Sequence, residues 1–219
     1  MRVGGPVLTF ETDPCVLSKD FQINDIFWTL QGEGVHSGQR ALFIRLPFCN
    51  YDCPWCDTEY NSFKKLTEPE LVHWLKQEPA RLAVITGGEP LVHKDLPRLL
   101  KLLKEHNFYV TCETNGSAPV PADIDFVTCS PKAFTKGKFE PYYVHPDAYP
   151  KTKQWKYVVD DNFDFGLLER HAKDPQDIIH ALSPEFGKMK KNTQRILEFI
   201  KLNPQWRLSL QTHKWIDIP

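Results

Sequence analysis

Short apolar runs punctuate the chain at 41–46, 82–86, 108–113, 125–129, 155–160 and 178–182, each followed by a polar or glycine-bearing loop. They are too continuous for strands with one wet face, and they predict strands buried on both sides of a sheet. Helical periodicity fills several of the gaps. Leu96, Leu99, Leu100 and Leu103 repeat at i, i+3, i+4 and i+7, and Ile196, Leu197 and Ile200 do so more briefly. Thr67 followed by Glu70 makes a capping box that predicts a helix through about Gln77. Strands alternating with helices predict a parallel α/β sheet, open or curled into a barrel.

Two connections modify that picture. Only residues 114–124 separate the third and fourth runs, too few for a full crossover helix. The next connection, 130–154, is long but carries Pro131, Pro141, Pro146 and Pro150, so it reads as loop. The expectation is a partial α/β barrel of six strands that lacks some of its helices. No repeat, low-complexity tract or Gly/Ser-rich linker divides the chain, which predicts one domain.

Composition narrows the function classes. The 219 residues carry 27 Lys+Arg against 28 Asp+Glu, a net charge of −1. That balance offers no basic excess to attract nucleic acid or an anionic membrane, and neither is expected as a partner. No apolar window reaches the length of a membrane span. Arg2, Glu11, Asp13, Lys19 and Asp20 interrupt the first twenty residues, so no signal peptide is read there. The expected compartment is the reducing cytoplasm, where clustered thiols serve metals or catalysis. The cysteines are Cys15, Cys49, Cys53, Cys56, Cys112 and Cys129, and three of them fall within eight residues.

The loops after the predicted strands hold the candidate chemistry, as they do in parallel barrels. Cys49-Asn50-Tyr51-Asp52-Cys53-Pro54-Trp55-Cys56 is a C-x3-C-x2-C spacing. Three thiolates on one tight loop suit three corners of an iron–sulfur cube and leave a fourth iron open. A Cys3His zinc site is the competing reading, although no histidine lies near the loop in sequence. Gly87-Gly88-Glu89-Pro90, Glu113-Thr114-Asn115-Gly116 and Ser130-Pro131-Lys132 follow the next three strands. Singly each reads as a turn. Ordered on successive strands behind the cysteine loop, they resemble the radical S-adenosylmethionine superfamily.

That resemblance implies a 4Fe-4S cluster on Cys49, Cys53 and Cys56, with S-adenosylmethionine chelating the open iron. Gly88 and Glu89 are implied at its methionyl end, Glu113, Asn115, Ser130, Pro131 and Lys132 around its ribose and carboxylate, and Trp55, Cys56 and Asp57 at the adenosyl part. One electron from the reduced cluster would release a 5′-deoxyadenosyl radical, while the protein positions the reactants and excludes water.

The chain ends carry a narrower resemblance. Leu30-Gln31-Gly32-Glu33-Gly34, Cys56-Asp57-Thr58 and Gln211-Thr212-His213-Lys214 closely resemble the 7-carboxy-7-deazaguanine synthase family. The match runs over 21–219 and leaves 1–20 as an N-terminal extension. It implies rearrangement of 6-carboxy-5,6,7,8-tetrahydropterin to 7-carboxy-7-deazaguanine with loss of ammonia, in queuosine precursor synthesis. It also implies Mg²⁺ at Thr58, a flavodoxin- or ferredoxin-type reductant and a homodimer. Leu30, Gln31, Gly32 and Glu33 are implied as readers of the pterin edge, and Arg45 as the clamp on its carboxylate. Thr86, His213 and the carboxylate of Pro219 complete the substrate set, so a tag after Pro219 is expected to harm activity.

Some positions depart from the family pattern. Ser183-Pro184-Glu185 stands where some relatives have Gln-Pro, leaving the adenosyl contact of Ser183 open. Asn50, Tyr51 and Asp52 are expected to be less restricted, as spacers that need only supply geometry, and Cys15, Cys112 and Cys129 to bind nothing. Trp74, Trp155, Trp206 and Trp215 are expected in packing, with Trp215 as a dimer contact. An enzyme that activates a glycine on another protein would share the cysteine loop but has no use for the Gln-Thr-His-Lys ending. A non-catalytic zinc module is the remaining alternative.

Overall fold

All six apolar runs become neighbouring strands of one sheet. A computed structural model describes residues 20–219. In chain order its elements are β1 (Phe21–Ile23), β2 (Asp25–Leu30), β3 (Arg40–Leu46), β4 (Lys64–Leu66), α1 (Glu68–Gln77), β5 (Leu82–Gly87) and α2 (Leu96–Glu105). There follow β6 (Tyr109–Thr114), β7 (Phe126–Cys129), β8 (Thr152–Val159), β9 (Ile179–Pro184), α3 (Met189–Leu202), β10 (Trp206–Leu208) and α4 (Thr212–Trp215). The main sheet has the order β10-β9-β8-β7-β6-β5-β3-β2, and β1 pairs with β4 in a small separate ribbon. Every pair from β3 to β10 is parallel, whereas β2 lies antiparallel on β3. Its two edges, β2 and β10, do not pair, so the barrel stays partial.

Helix depletion falls at the two connections the sequence marks, β6–β7 and β7–β8, and also at β8–β9, which it does not mark. No α-helix lies between β6 and β7, between β7 and β8, or between β8 and β9, the last of these being bridged by a 3-10 segment over Phe165–His171. Where helices do form, local signals account for them. Thr67 caps α1, its amide donating to Glu70 Oε2 at 2.8 Å. In α2 the leucines at 96, 99, 100, 102 and 103 are all buried against the sheet. One core cluster packs β3, β5 and β6 against α1 and α2, and a second packs β8 and β9 against α3. Alternation along β8 sends Trp155, Tyr157 and Val159 into the second cluster and turns Lys156 and Val158 to the opposite face. Cys112 and Cys129 are buried in these cores, and Cys15 lies outside the described residues. Trp155 and Trp206 are buried, Trp74 packs on Trp28 at 4.5 Å between ring centres, and Trp215 is exposed.

Candidate active site

The C-terminal ends of the parallel strands open into a cavity of about 440 Å³. Its wall takes Cys49, Cys53, Trp55, Cys56, Asp57 and Thr58 from the loop after β3, with Arg45 from β3 itself. The end of β5 adds Thr86, Gly88 and Glu89, and the end of β6 adds Glu113 and Asn115. Ser130 and Lys132 follow β7, and Ser183 sits on β9. Leu30 ends β2, Gln31 and Glu33 follow it, and His213 and Pro219 enter from the tail. Thus every predicted site residue lines the cavity except Gly32 and Pro131, both of which are buried behind it. At Gly32 the ring of His213 occupies the space a Cβ would need, and Thr212 donates through its amide and hydroxyl to the Gly32 carbonyl at 3.0 and 2.8 Å.

The cysteine loop is a fixed object before any metal is added. Phe48 holds a left-handed backbone, with φ of 64°, and its amide donates to the Tyr60 carbonyl at 2.8 Å. Such a conformation in a bulky residue must be held by its surroundings. Beside it, the Gly88 and Glu89 amides donate to the Leu46 and Phe48 carbonyls at 2.8 and 2.9 Å. A Cβ at Gly88 would collide with the Phe48 carbonyl, so glycine is required here for two backbones to meet. Two of the three spacers do more than supply geometry. Asn50 donates to Ser117 Oγ at 2.8 Å and accepts from Asn115 Nδ2 at 2.9 Å, while the Tyr51 ring is buried. Spacing alone hides this because the partners lie some 65 residues away.

None of the three thiols forms a disulfide. Burial raises Cys49 above the ordinary thiol value and pushes Cys53 up to about 11, the state of a thiol that ionises when a cation arrives. Among the described residues the thiols do not converge closely enough to surround a single ion. His213 is the cavity's one histidine, and its ring rests on Gly32. Three thiolates on one loop are the donor set of an iron–sulfur cube with one iron left open. The Tyr51 hydroxyl and the Trp55 indole N–H are buried without partners, leaving polar capacity at the wall.

Glu89 is 1% exposed and braces the wall. Its carboxylate accepts from the Thr114 hydroxyl at 2.5 Å, the Asn115 amide at 2.7 Å and the Leu91 amide at 2.9 Å. Burial raises its pKa in spite of these donors. Lys132 donates to the Ser130 carbonyl at 2.6 Å and stands 5.7 Å above the Trp55 ring.

Sequence reasoning missed the charge at the centre of the cavity. Lys156 donates to Glu33 Oε2 at 2.8 Å and to Glu113 Oε2 at 2.7 Å, with only 11% of its side chain exposed. Burial on its own would lower the ammonium pKa; the two carboxylates outweigh it and hold Lys156 above its ordinary value. Burial likewise opposes the charge on Glu33, and Lys156 holds it below the ordinary carboxylate range. Gln211 continues the chain, donating to Glu33 Oε1 at 3.0 Å and to Asp57 at 3.4 Å, and Lys214 pairs with Asp57. A lone lysine inside the run 155–160 was the available signal. Arg45 lies 4.9 Å from the Phe27 ring centre and has no ion-pair partner among the described residues.

Known proteins bear on this arrangement. Residues 43–134, which include the cysteine, Gly-Gly-Glu-Pro, Asn-Gly and Ser-Pro-Lys loops, match the model of the Radical SAM superfamily. The chain is 35% identical over 207 residues to the 7-carboxy-7-deazaguanine synthase of Haemophilus influenzae, covering 91% of this chain and 94% of that one. It is 36% identical to the enzyme of that name from Neisseria meningitidis, covering 90% and 94%. The crystal structure of QueE from Escherichia coli superimposes with a TM-score of 0.73 at 31% identity, covering 88% of this chain and 94% of that one. With this likeness running through nearly the whole length of both partners, the chain belongs to the 7-carboxy-7-deazaguanine synthase family of radical S-adenosylmethionine enzymes.

Proposed function

We propose that the cavity converts 6-carboxy-5,6,7,8-tetrahydropterin to 7-carboxy-7-deazaguanine with release of ammonia. The observation that carries this reading is the meeting, in one cavity, of three free thiols with an unpaired arginine and the polar groups of the 30–33 loop and the tail. Cys49, Cys53 and Cys56 would hold a 4Fe-4S cluster. Together the bound cluster and S-adenosylmethionine supply removal of a hydrogen atom from the substrate and its return.

The chain's own residues bind and orient. Arg45 offers two parallel N–H donors to the substrate carboxylate, braced from behind by Phe27. Gln31, Glu33 and His213 face the flat pterin with matched donors and acceptors, Leu30 and Thr86 close its edges, and Pro219 stands at the mouth, held by a 3.0 Å hydrogen bond from Thr29. Burial lowers the His213 pKa, which favours a neutral imidazole able both to donate and to accept. Gly32 acts through His213, whose ring it seats. For S-adenosylmethionine, Gly88 and Glu89 face the methionyl end. Glu113, Asn115, Ser130 and Lys132 face the ribose and carboxylate, with Pro131 fixing that loop from behind. Trp55, Asp57 and Ser183 face the adenosyl part. Thr58 offers a hydroxyl to Mg²⁺, which prefers oxygen ligands and retains waters.

The same reading includes a flavodoxin- or ferredoxin-type electron donor, a homodimer with exposed Trp215 near its interface, a cytoplasmic location and a role in queuosine synthesis. Among the described residues no helix is long and apolar enough to cross a membrane. Anaerobic incubation of the reconstituted protein with the carboxytetrahydropterin, S-adenosylmethionine, Mg²⁺ and reductant tests the proposal by product mass. The expected product is the substrate less one ammonia. Cys49→Ala, Cys53→Ala and Cys56→Ala are each expected to abolish iron binding and turnover, and retained turnover in any of them would reject the site.

A further inference from the structure

On the opposite face of the sheet, far in sequence from the cysteine loop, three side chains with metal-binding atoms converge. We propose that His171, Asp174 and His180 bind a zinc-type dication at a second site, which pins the helix-free crossover between β8 and β9 to the sheet. Among the described residues this is the one set of three His, Cys, Asp or Glu side chains whose ligand atoms gather, all within 4.8 Å of one another. His171 Nδ1 and His180 Nε2 lie 2.8 and 3.0 Å from the same oxygen, Asp174 Oδ2. Tetrahedral zinc ligands at about 2.1 Å stand about 3.4 Å apart, so these pairs need open by only about half an ångström to admit an ion.

Three further observations favour an ion over a closed hydrogen-bonded triad. His171 already has a partner for its other nitrogen, with Nε2 at 2.8 Å from the Tyr157 hydroxyl. Metal-ligating imidazoles are oriented by such a second contact. Bound through Nδ1, a neutral His171 carries its proton on Nε2 and donates it to Tyr157. Next, the Asp174 carboxylate is 7% exposed in a nest of rings: Trp155 lies 4.7 Å from His171 and Trp206 4.9 Å from His180. A buried carboxylate in such surroundings gains from a full countercharge. Finally, a cavity of about 310 Å³ opens onto both histidines and is edged by Glu169, Asn203 and Gln205. It leaves room for water in a fourth coordination position. Two imidazoles and one carboxylate form a donor set suited to zinc and its first-row neighbours.

The placement supplies a purpose. His171 ends the 3-10 segment, Asp174 follows in a turn, and His180 stands on β9. An ion joining them would do the work of the missing crossover helix. The test uses the 219-residue chain with its iron–sulfur cluster reconstituted on the cysteine loop, incubated anaerobically with zinc sulfate, desalted through a weak chelator, and assayed for zinc and iron. One zinc per chain is expected both in the wild type and in a C49A/C53A/C56A variant that cannot load the catalytic loop. Asp174→Asn and His180→Gln keep size and hydrogen bonding but remove a ligand. Whichever of them retains the native circular-dichroism spectrum is expected to bind zinc at least about 100-fold more weakly. Zinc at a hundredfold excess over its Kd is expected to raise the wild-type Tm by about 5 °C or more and not that of the variants. Zinc lost with the cysteines would place it on the catalytic loop and overturn the proposal. Zinc absent from the wild type, or unchanged in Asp174→Asn and His180→Gln, would leave a hydrogen-bonded triad only and overturn it as well.

Discussion

Replacing Lys156 with alanine isolates the electrostatic problem at the heart of the cavity. The ammonium is shared by Glu33 and Glu113, whose side chains are only 15% and 21% exposed. Without it two half-desolvated carboxylates face one vacated space. Breaking a buried pair by removing one partner costs about 3–5 kcal/mol, because the surviving charge is left uncompensated. For a chain of this length that corresponds to a Tm lower by about 6–20 °C. The pH dependence is distinctive. In the wild type the pair's contribution is complete above the ordinary Glu value of 4.5 and is lost as pH falls through the lowered Glu33 pKa. At the alkaline end it is complete below the ordinary Lys value of 10.5 and lost as pH rises through the raised Lys156 pKa. In Lys156→Ala one carboxylate is expected to take up a proton, so the deficit should shrink as pH falls from 8 towards 5. Lys156→Met combined with Glu33→Gln and Glu113→Gln removes every charge and should recover most of the loss. Thermal melts of the cluster-free proteins across that pH range measure both effects. A deficit under about 1 kcal/mol that does not change with pH would refute the assignment.

Gly88→Ala drives a methyl group into the Phe48 carbonyl, a backbone atom that cannot swing aside. A loss of about 3 kcal/mol or more is expected, with iron content falling alongside, since the cysteine loop must move; unchanged iron and Tm would contradict it. Arg45→Ala should raise KM for the carboxytetrahydropterin about 10- to 100-fold while S-adenosylmethionine binding, followed by calorimetry, stays within about twofold. Equal loss of both would move Arg45 to the cofactor. Removal of residues 211–219 should cost little stability, because Trp215 and Ile216 are 64% and 59% exposed, yet abolish substrate binding. A large fall in Tm with substrate affinity intact would reverse that view of the tail.

What could be read from sequence follows from how each feature is encoded. Buried parallel strands need unbroken apolar runs, so β3 and β5 to β9 stand out. β10 is three residues long and owes its existence to β9, and β2 is a mixed edge strand in which only Ile26 is buried. Neither has a periodicity to find. In the site, the cysteine spacing and the Gly-Gly pair were legible because geometry restricts those positions to one residue type. Lys156 was not, and neither were the roles of Gln211 and Lys214, because their meaning lies in the carboxylates that face them from distant parts of the chain. The family resemblance implies Gly88 at the methionyl end of S-adenosylmethionine, and the structure adds a demand of its own, the packing of two backbones.

An open sheet leaves a barrel with a gap, and the gap explains why the segments beyond both edge strands reach the site. β2 and β10 are the two edges and share no ladder hydrogen bonds. The chain beyond β10 crosses instead to the loop beyond β2, where Thr212 and Gln211 contact Gly32 and Glu33. At the same place Lys214 reaches Asp57 beside the cysteine loop. The rim is therefore closed by side chains, and at Glu33 by a carboxylate that Lys156 and Glu113 tie to β8 and β6. Closure by strand pairing would bury this rim and fix it. Closure by an exposed four-residue helix and a few polar contacts can open at little cost, because such contacts are worth about 1 kcal/mol each. The 30–33 loop and the tail thus sit on the part of the rim that can yield, while the three thiols sit on a loop held by the backbone contacts of Phe48 and Gly88.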